Sequence, residues 1–244
     1  MMIQSVERAV RILQCFEEQD QMGITQIAKK TRLTKSTAFG LASTLVETGL
    51  LEQDAATSQY RLGLELFRLG SRVDIDGRRQ IVAELAALCE TLDETVNYMR
   101  PEGTDIVYLV KKETSHSMRI CTTIGQRLPM YCTAGGKAIM AYLPEEERER
   151  ILQRFRFTAY TGNTVTTAEA LRRELAEARA SGCAFDREEL ELGLTCIAVP
   201  MRNGSGYPVA AISCSGPTTR MTEEKLRQCQ AALSACAERL GASI

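Results

Sequence analysis

The chain has 244 residues, of which 44% are hydrophobic and 25% are charged, and its net charge is −1. This length and ordinary globular composition suit one large or two ordinary domains, each able to bury a core. A net charge so close to zero excludes a protein that coats nucleic acid, so any DNA binding has to come from a local basic patch. No signal peptide and no membrane-length apolar run is visible, which predicts a soluble, cytoplasmic protein without a membrane partner.

Cysteine and histidine usage argues against a metal site. The nine cysteines are scattered from Cys15 to Cys236 without a C-x-x-C pair, and His116 is the single histidine. A zinc site would need clustered ligands of these two types. We therefore expect no metal and no cofactor, and we expect reduced thiols that behave as small hydrophobic side chains.

The first predicted element is a helix over residues 5–19. Ser5 is placed to cap it, and apolar residues recur at helical spacing behind that cap. The predicted buried stripe consists of Val6, Ala9, Val10, Leu13 and Phe16.

Residues 24–48 predict two short helices joined by a tight turn. Thr34 is a good N-cap for the second helix, whose apolar face comprises Ala38, Leu41 and Leu45. No acidic residue occurs between Ile24 and Val46, whereas four cations and two small hydroxyls lie on the first helix, the turn and the start of the second helix. Such a corner suits a helix that enters the major groove, although a solvated helix pair would show the same pattern. These residues are Lys29, Lys30, Arg32, Lys35, Ser36 and Thr37.

Two short strands over residues 50–53 and 59–63 follow and predict a β-hairpin wing, which completes a winged helix-turn-helix. A linker helix is expected over 62–73, and the interruption at 75–77 divides the chain into a DNA-binding domain, 1–76, and a second domain, 77–244. The wing places Tyr60 and Arg61 to contact the DNA backbone or the minor groove. The candidate DNA-binding residues are Thr25, Lys30, Thr34, Lys35, Ser36, Thr37, Phe39, Tyr60 and Arg61.

The second domain predicts an antiparallel sheet with helices on one or both of its faces, an α+β unit. A capping box, Thr166 with Glu169, predicts the start of a helix that Gly182 ends. Further helices are expected over 78–93 and 222–240. Predicted strands cover 94–99, 105–112, 118–123, 193–201 and 208–216.

One candidate ligand site is the CTAGGKA segment. Small residues precede a helix there, so the N–H groups of Ala134, Gly135 and Gly136 could approach an anion at the helix N-terminus. The alternative is a close-packed strand-to-helix turn that needs glycine sterically. Met118 and Met130, with Tyr98, Met99 and Leu128, could supply an apolar wall, although such residues more often belong to a core.

A second candidate feature is the set of polar residues within apolar strands, Asp186, Cys196, Ser213 and Ser215. The two serines are two positions apart and therefore face the same side of their strand. Together these groups suit a small hydroxy or keto acid, although each could simply bond nearby backbone. Asp186 would repel an anion unless it is protonated, bonded to a ligand hydroxyl or paired with an arginine. The acidic run that begins at Asp186 predicts a solvated loop.

Seven motifs in the same order resemble the IclR family of bacterial transcriptional regulators over essentially the whole chain. The resemblance implies a winged-helix DNA-binding domain joined to a GAF-like effector-binding domain, and dimers that often pair into tetramers on operator DNA. Similar sensors bind small carboxylates at positions that match the polar set. The motifs are QSVERAVRIL, LTKST, YRLG-L, ETVN, RLPMYCTAGGKA, FDREELELGLTCIAVP and AISCSGPTTRMTEE.

One departure from the family pattern concerns the recognition helix. The family usually places Arg after an aromatic residue or histidine, but here Phe39 is followed by Gly40. The missing cation removes an expected DNA contact, and glycine within a helix costs up to ~1 kcal/mol.

We expect a non-enzymatic regulator, a repressor of a catabolic operon, that binds double-stranded operator DNA and senses a small keto, hydroxy or sugar acid. An enzyme with Cys132 or Cys196 as nucleophile would need a base beside the thiol, and His116 lies in a polar loop without a visible orienting partner. A winged helix that binds protein rather than DNA is a third interpretation, to which Gly40 lends some support and the clustered cations lend none.

Overall fold

The computed structural model describes residues 2–17, 19–73, 75, 77–119 and 122–242. The chain forms two compact units, Met1–Ile75 and Asp76–Ile244. Residue 76, at which the predicted DNA-binding domain ends, lies outside the described residues. Each unit is described by itself below.

The N-terminal unit is a helix-turn-helix with a two-stranded antiparallel wing, which confirms the predicted fold of this part of the chain. The wing strands pair in the register Leu51 with Leu62 and Gln53 with Tyr60. A bridge between Met22 and Tyr60 ties the wing to the segment before the second helix. The elements are α1 (Gln4–Gln14), α2 (Ile24–Thr31), α3 (Lys35–Glu47), β1 (Leu51–Gln53), β2 (Tyr60–Leu62) and α4 (Leu64–Gly70).

The predicted buried stripe of α1 is partly wrong. Ile12 and Phe16 are fully or almost fully buried, whereas Val6 and Val10 are 58% and 47% exposed. A helix presents one apolar stripe to a core, and the packing of α1 on α2 and α3 is centred on Ile12. The predicted cap at Ser5 is also wrong, because α1 begins one residue earlier and Ile3 occupies the N-cap position without a side-chain bond.

The C-terminal unit has a six-stranded antiparallel sheet in the order β5-β4-β3-β8-β7-β6. The predicted α+β class with an antiparallel sheet is confirmed. The helices are α5 (Arg78–Leu92), α6 (Ala134–Met140), α7 (Glu145–Leu152), α8 (Ala168–Ser181) and α9 (Glu223–Gly241). The strands are β3 (Thr95–Glu102), β4 (Asp105–Lys112), β5 (Arg127–Pro129), β6 (Ala184–Arg187), β7 (Leu194–Arg202) and β8 (Pro208–Pro217).

Helices cover both faces of the sheet. On one face α5 contacts β3 and β4, α9 contacts β7 and β8, and the Cys214 thiol of β8 lies 3.5 Å from the Cys229 thiol of α9. Because side chains alternate along a strand, Ser213 and Ser215 point to the other face, where α6 contacts β7, β8 and α8. The sheet therefore directs the predicted polar set toward the side that carries α6.

Several local predictions for this unit need correction. Of the predicted strand over 118–123, positions 120 and 121 lie outside the described residues, and the other four are not in a strand. The helix expected to be capped by Thr166 is capped by Thr167, whose hydroxyl accepts the N–H of Ala170 at 3.2 Å. The start of the acidic run is strand β6 rather than loop, because it pairs with β7. Among the described residues, no helix is both long and apolar enough to cross a membrane.

Candidate DNA surface and ligand cavity

The solvent-facing side of the helix-turn-helix carries most of the residues predicted to bind DNA. The predicted N-cap of α3 is confirmed, because the Thr34 hydroxyl accepts the N–H of Thr37 at 3.3 Å. That hydroxyl also bonds the hydroxyls of Ser36 at 3.2 Å and Thr37 at 2.9 Å. Positive charge on this side adds to the dipole of α3, so the surface can attract phosphates. Thr25, Lys30, Thr34, Lys35, Ser36 and Phe39 are exposed, and Thr37 is half-buried.

The wing presents less positive charge than the sequence predicted. Arg61 is exposed, but its Nε and Nη2 both donate to Glu52 Oε2, at 2.9 and 2.8 Å. The placement of Tyr60 on the DNA-facing surface is wrong, since its side chain is only 2% exposed and belongs to the core of this unit. Neighbouring strand residues face opposite sides, so only one of this pair can face solvent, and the aromatic ring is the one that is buried.

A cavity of about 500 Å³ opens on the α6 side of the C-terminal sheet. Strand register explains why distant residues meet there: Asp186 of β6 pairs with Cys196 of β7, which pairs with Ser215 of β8. Ser213 lies two positions earlier and is bonded by the Asn97 amide at 3.4 Å. The structure thus brings together seven of the nine residues predicted to bind a ligand, Ala134, Gly135, Asp186, Cys196, Ser213, Ser215 and Met118.

Gly136 and Met130 do not line the cavity. A Cβ on Gly136 would lie 2.3 Å from the Met130 Cα, so this glycine lets α6 approach the backbone at Met130, which is itself fully buried. The Gly136 N–H donates to the Thr133 hydroxyl at 3.3 Å. The steric interpretation therefore holds for Gly136, and it also holds for Gly135, where a Cβ would lie 2.1 Å from the Met99 Sδ. Ala134 and Gly135 border the cavity together with Thr133.

Burial shifts the ionisation of the cavity residues. It raises the pKa of Asp186 to about 7, against the N–H of Glu189, which donates to Asp186 Oδ1 at 2.8 Å and lowers the pKa. It also raises the pKa of the Cys196 thiol and of the Tyr108 hydroxyl well above their usual values. At neutral pH the cavity therefore contains a carboxyl group close to half-protonation, beside a thiol and a phenol that remain neutral.

A buried ion cluster supports one wall of the cavity. Lys137 of α6 is 2% exposed, and its Nζ donates to Glu189 and, at 2.7 Å, to Glu174 of α8. Burial lowers the pKa of Lys137, but the two carboxylates outweigh this effect and the net shift is upward. Glu189 directly precedes the wall segment 190–194. The prediction that the acidic run is a solvated loop is thus partly wrong, because Glu189 is buried in an ion pair with the Lys137 ammonium.

The structure also defines residues that the sequence did not single out. Tyr108 and the segment 190–194 line the cavity. Leu128, named with the possible apolar wall, also lines it, and Arg119 borders it while its Nε donates to Glu113 at 3.2 Å. The alternation of side chains along the predicted strand over 105–112 could have indicated that Tyr108 faces one side of the sheet with its alternate neighbours. The wall segment could not have been found, since it depends on the long-range pairing of β6.

The described residues offer little for nucleophilic or metal chemistry. Burial raises the pKa of Cys132 to about 12, which keeps this thiol protonated at neutral pH. His116 does have a partner, since its Nε2 lies 2.9 Å from Asp93 Oδ2, but it does not line the cavity. Within the described ranges, no three His, Cys, Asp or Glu side chains are grouped as metal ligands.

Comparison with known proteins assigns both units. Residues 71–242 match the model of the bacterial transcriptional regulator IclR C-terminal domain, and residues 5–55 match the IclR helix-turn-helix domain. The chain is 33% identical to the HTH-type transcriptional regulator KdgR of Escherichia coli over 99% of this chain and 93% of that protein. It is 31% identical to the transcriptional repressor IclR of E. coli, over 93% of this chain and 84% of that protein. A solved IclR homologue from Microbacterium hydrocarbonoxydans, complexed with 4-hydroxybenzoate, superimposes with a TM-score of 0.83 at 26% identity, covering 98% of each chain.

Proposed function

The chain belongs to the IclR family of bacterial transcriptional regulators, and from that premise we propose that it represses a catabolic operon and dissociates from its operator when it binds a small organic acid. Like its relatives, it is a DNA-binding transcriptional regulator and not an enzyme. In this proposal residues 1–76 bind DNA, and residues 77–244 bind the effector and share in oligomerisation with the exposed apolar helices of the N-terminal unit. The observation that carries the proposal is the row of Asp186, Cys196 and Ser215, which lines a cavity of about 500 Å³ in a chain that also carries a helix-turn-helix.

The DNA-binding part of the proposal rests on α3. Its N-terminal turn presents the cap hydroxyls and Lys35 to a phosphate, and the helix enters the major groove with its exposed face. Thr25 and Lys30 of α2 contact the adjacent backbone. Arg61 reaches DNA only by exchanging its bond to Glu52 for a phosphate, so its contribution is smaller than that of Lys35.

The effector part of the proposal assigns chemistry to the cavity. The N–H groups of Ala134 and Gly135 belong to the first turn of α6 and have no partner within that helix, so they are suited to a carboxylate. Ser213 and Ser215 offer hydroxyls to the hydroxy or keto group of the acid. The 4-hydroxybenzoate of the Microbacterium homologue supports an acid with a polar group as the class of effector.

The apolar part of such an acid would contact the remainder of the lining. Met118, Leu128 and Leu192 supply apolar surface around the polar row. A cavity of about 500 Å³ accommodates sugar acids and aromatic acids as well as the smallest keto acids. The effector can shift DNA binding only by the difference between its affinities for the DNA-competent and DNA-incompetent forms.

Self-association is part of the proposal because two helices of the N-terminal unit expose apolar side chains. Val6 and Val10 of α1 and Leu64 and Phe67 of α4 are 47–77% exposed. We propose that a second copy covers them, giving a dimer that can pair into a tetramer. Sedimentation equilibrium is expected to show a dimer or tetramer, which Phe67→Ser shifts toward monomer, and a wild-type monomer at micromolar concentration would contradict this part.

Fluorescence anisotropy on the intergenic DNA beside this protein's own gene tests the proposal. We expect tight binding that weakens steeply with salt, because phosphate contacts release counterions, and that one member of a panel of keto, hydroxy and sugar acids weakens further. Tight binding that no acid changes would contradict the effector part. Binding no stronger than that to random DNA would contradict the operator part and favour a protein partner.

Variants sharpen the same measurement. Lys35→Ala is expected to weaken operator binding and to reduce the slope of log K against log salt by about 0.9 per protomer, as loss of one phosphate contact requires. Arg61→Ala is expected to change the operator affinity and the salt slope less than Lys35→Ala does, because Glu52 already neutralises this arginine. Arg173→Ala, at an exposed side chain of α8 in the other unit, is the matched control and should change neither the affinity nor the slope. An unchanged slope for Lys35→Ala would place the DNA surface elsewhere.

A further inference from the structure

The exposed face of α3 has an uncommon set of side chains for a helix that reads DNA. Between Lys35 and Glu47 the sequence contains no Arg, Asn or Gln, the residues that bind guanine or adenine edges through paired hydrogen bonds. Lys35 is the one cation of the helix and stands at its first residue, beside the N–H groups of the first turn that bind phosphate. Paired hydrogen bonds can therefore supply little of the sequence recognition of α3.

The hydroxyl groups of α3 are largely used by the helix itself. Those of Ser36 and Thr37 bond the hydroxyl of the Thr34 cap, at 3.2 and 2.9 Å. That of Thr44 donates to the Gly40 carbonyl at 3.1 Å. A hydroxyl that is already bonded has less to offer a base edge, so these groups position the helix more than they discriminate between bases.

Phe39 is the large side chain that remains on this face. It is 55% exposed, whereas Ala38 and Ala42 on the opposite face are fully buried. The next residue, Gly40, leaves the surface beside it open, because a Cβ at that position would meet no atom within 4 Å. One turn earlier lies Lys35, and no acid occurs between Ile24 and Val46, so the ring stands on a surface that attracts a polyanion.

We propose that Phe39 reads thymine, with its ring packed against the 5-methyl groups of thymines in the major groove of the operator. The thymine methyl is the apolar group that this groove displays, and an apolar side chain is the matching reader. The absence of a side chain at Gly40 lets the base edge approach the ring closely. The inference rests on the proposed DNA-binding function and names the base that this function recognises.

The test removes the methyl groups and nothing else. The intergenic fragment is amplified once with dTTP and once with dUTP, and wild type and Phe39→Ala are titrated against both by anisotropy. We expect wild type to bind the uracil DNA about fourfold more weakly for each methyl group that the ring buries, the loss that corresponds to one buried carbon group. Phe39→Ala is expected to bind both DNAs equally, close to the level of wild type on uracil DNA.

Further variants separate this inference from the proposed function. Lys35→Ala should weaken binding to both DNAs by the same factor and keep their ratio, and Phe39→Leu should keep part of the discrimination. Equal wild-type binding to the two DNAs would overturn the inference while leaving operator binding intact. So would a Phe39→Ala protein, with an unchanged melting temperature, that still prefers thymine. Wild type that binds neither DNA in a salt-sensitive manner would overturn the proposed function itself.

Discussion

Replacement of Lys137 by methionine is expected to lower the free energy of unfolding of the C-terminal domain by about 3–5 kcal/mol, the usual cost of removing one partner of a buried ion pair. The variant would leave the Glu189 carboxylate buried opposite an apolar side chain, while Glu189 Oε2 already has no hydrogen-bond partner. Burial raises the pKa of Glu189 even with Lys137 present. For a domain of this size the change corresponds to a fall in melting temperature of roughly 10 °C, to be measured by scanning calorimetry.

Two further variants identify the cause. Arg173→Met removes the cation of an exposed pair with Glu169 on α8 and is expected to leave the melting temperature unchanged. Lys137→Met combined with Glu189→Gln removes the stranded charge and should recover much of the loss. If the Lys137→Met and Arg173→Met proteins have the same melting temperature, solvent reaches the ion cluster and the buried-charge argument is wrong.

The sequence was informative where the periodicity of one segment decides the outcome. The spacing of Ser213 and Ser215 predicted a shared face, and the register of β8 with β7 places Cys196 beside Ser215. The Thr34 cap and the fold class followed from equally local patterns. The convergence of Asp186, Cys196 and Ser215 could be anticipated only as a set of polar residues in apolar strands.

The sequence failed where two neighbouring residues compete or where a distant partner decides. Tyr60 and Arg61 both suited a DNA-facing wing, but side chains alternate along a strand, so only one of the two can face solvent. The Tyr60 ring is the one that is buried in the core. Glu189 stands in an acidic run that predicts solvation, yet Lys137, 52 positions away, makes its burial possible. Gly136 was predicted to bind an anion because the sequence does not show how closely this glycine approaches the Met130 backbone.

The binding of a carboxylate effector is expected to weaken with rising pH because of Asp186. Burial raises the pKa of this side chain to about 7, so it is mostly neutral at about pH 6 and mostly charged at about pH 8. A neutral carboxyl can donate a hydrogen bond to the effector, whereas a charged one repels its carboxylate. If the complex requires the protonated form, affinity should fall about tenfold per pH unit above pH 7 and level off below it.

Isothermal titration of wild type and Asp186→Asn over this range, with an acid that stays ionised throughout, measures the effect. Asparagine keeps an oxygen for the N–H of Glu189 but cannot ionise, so its pH profile should be flat. The Cys196 thiol and the Tyr108 hydroxyl stay protonated over the range, because burial raises the pKa of each, and they cannot imitate the effect. Affinity that rises with pH in wild type alone would contradict the prediction and assign Asp186 the opposite role, a carboxylate that accepts a hydrogen bond from an effector hydroxyl.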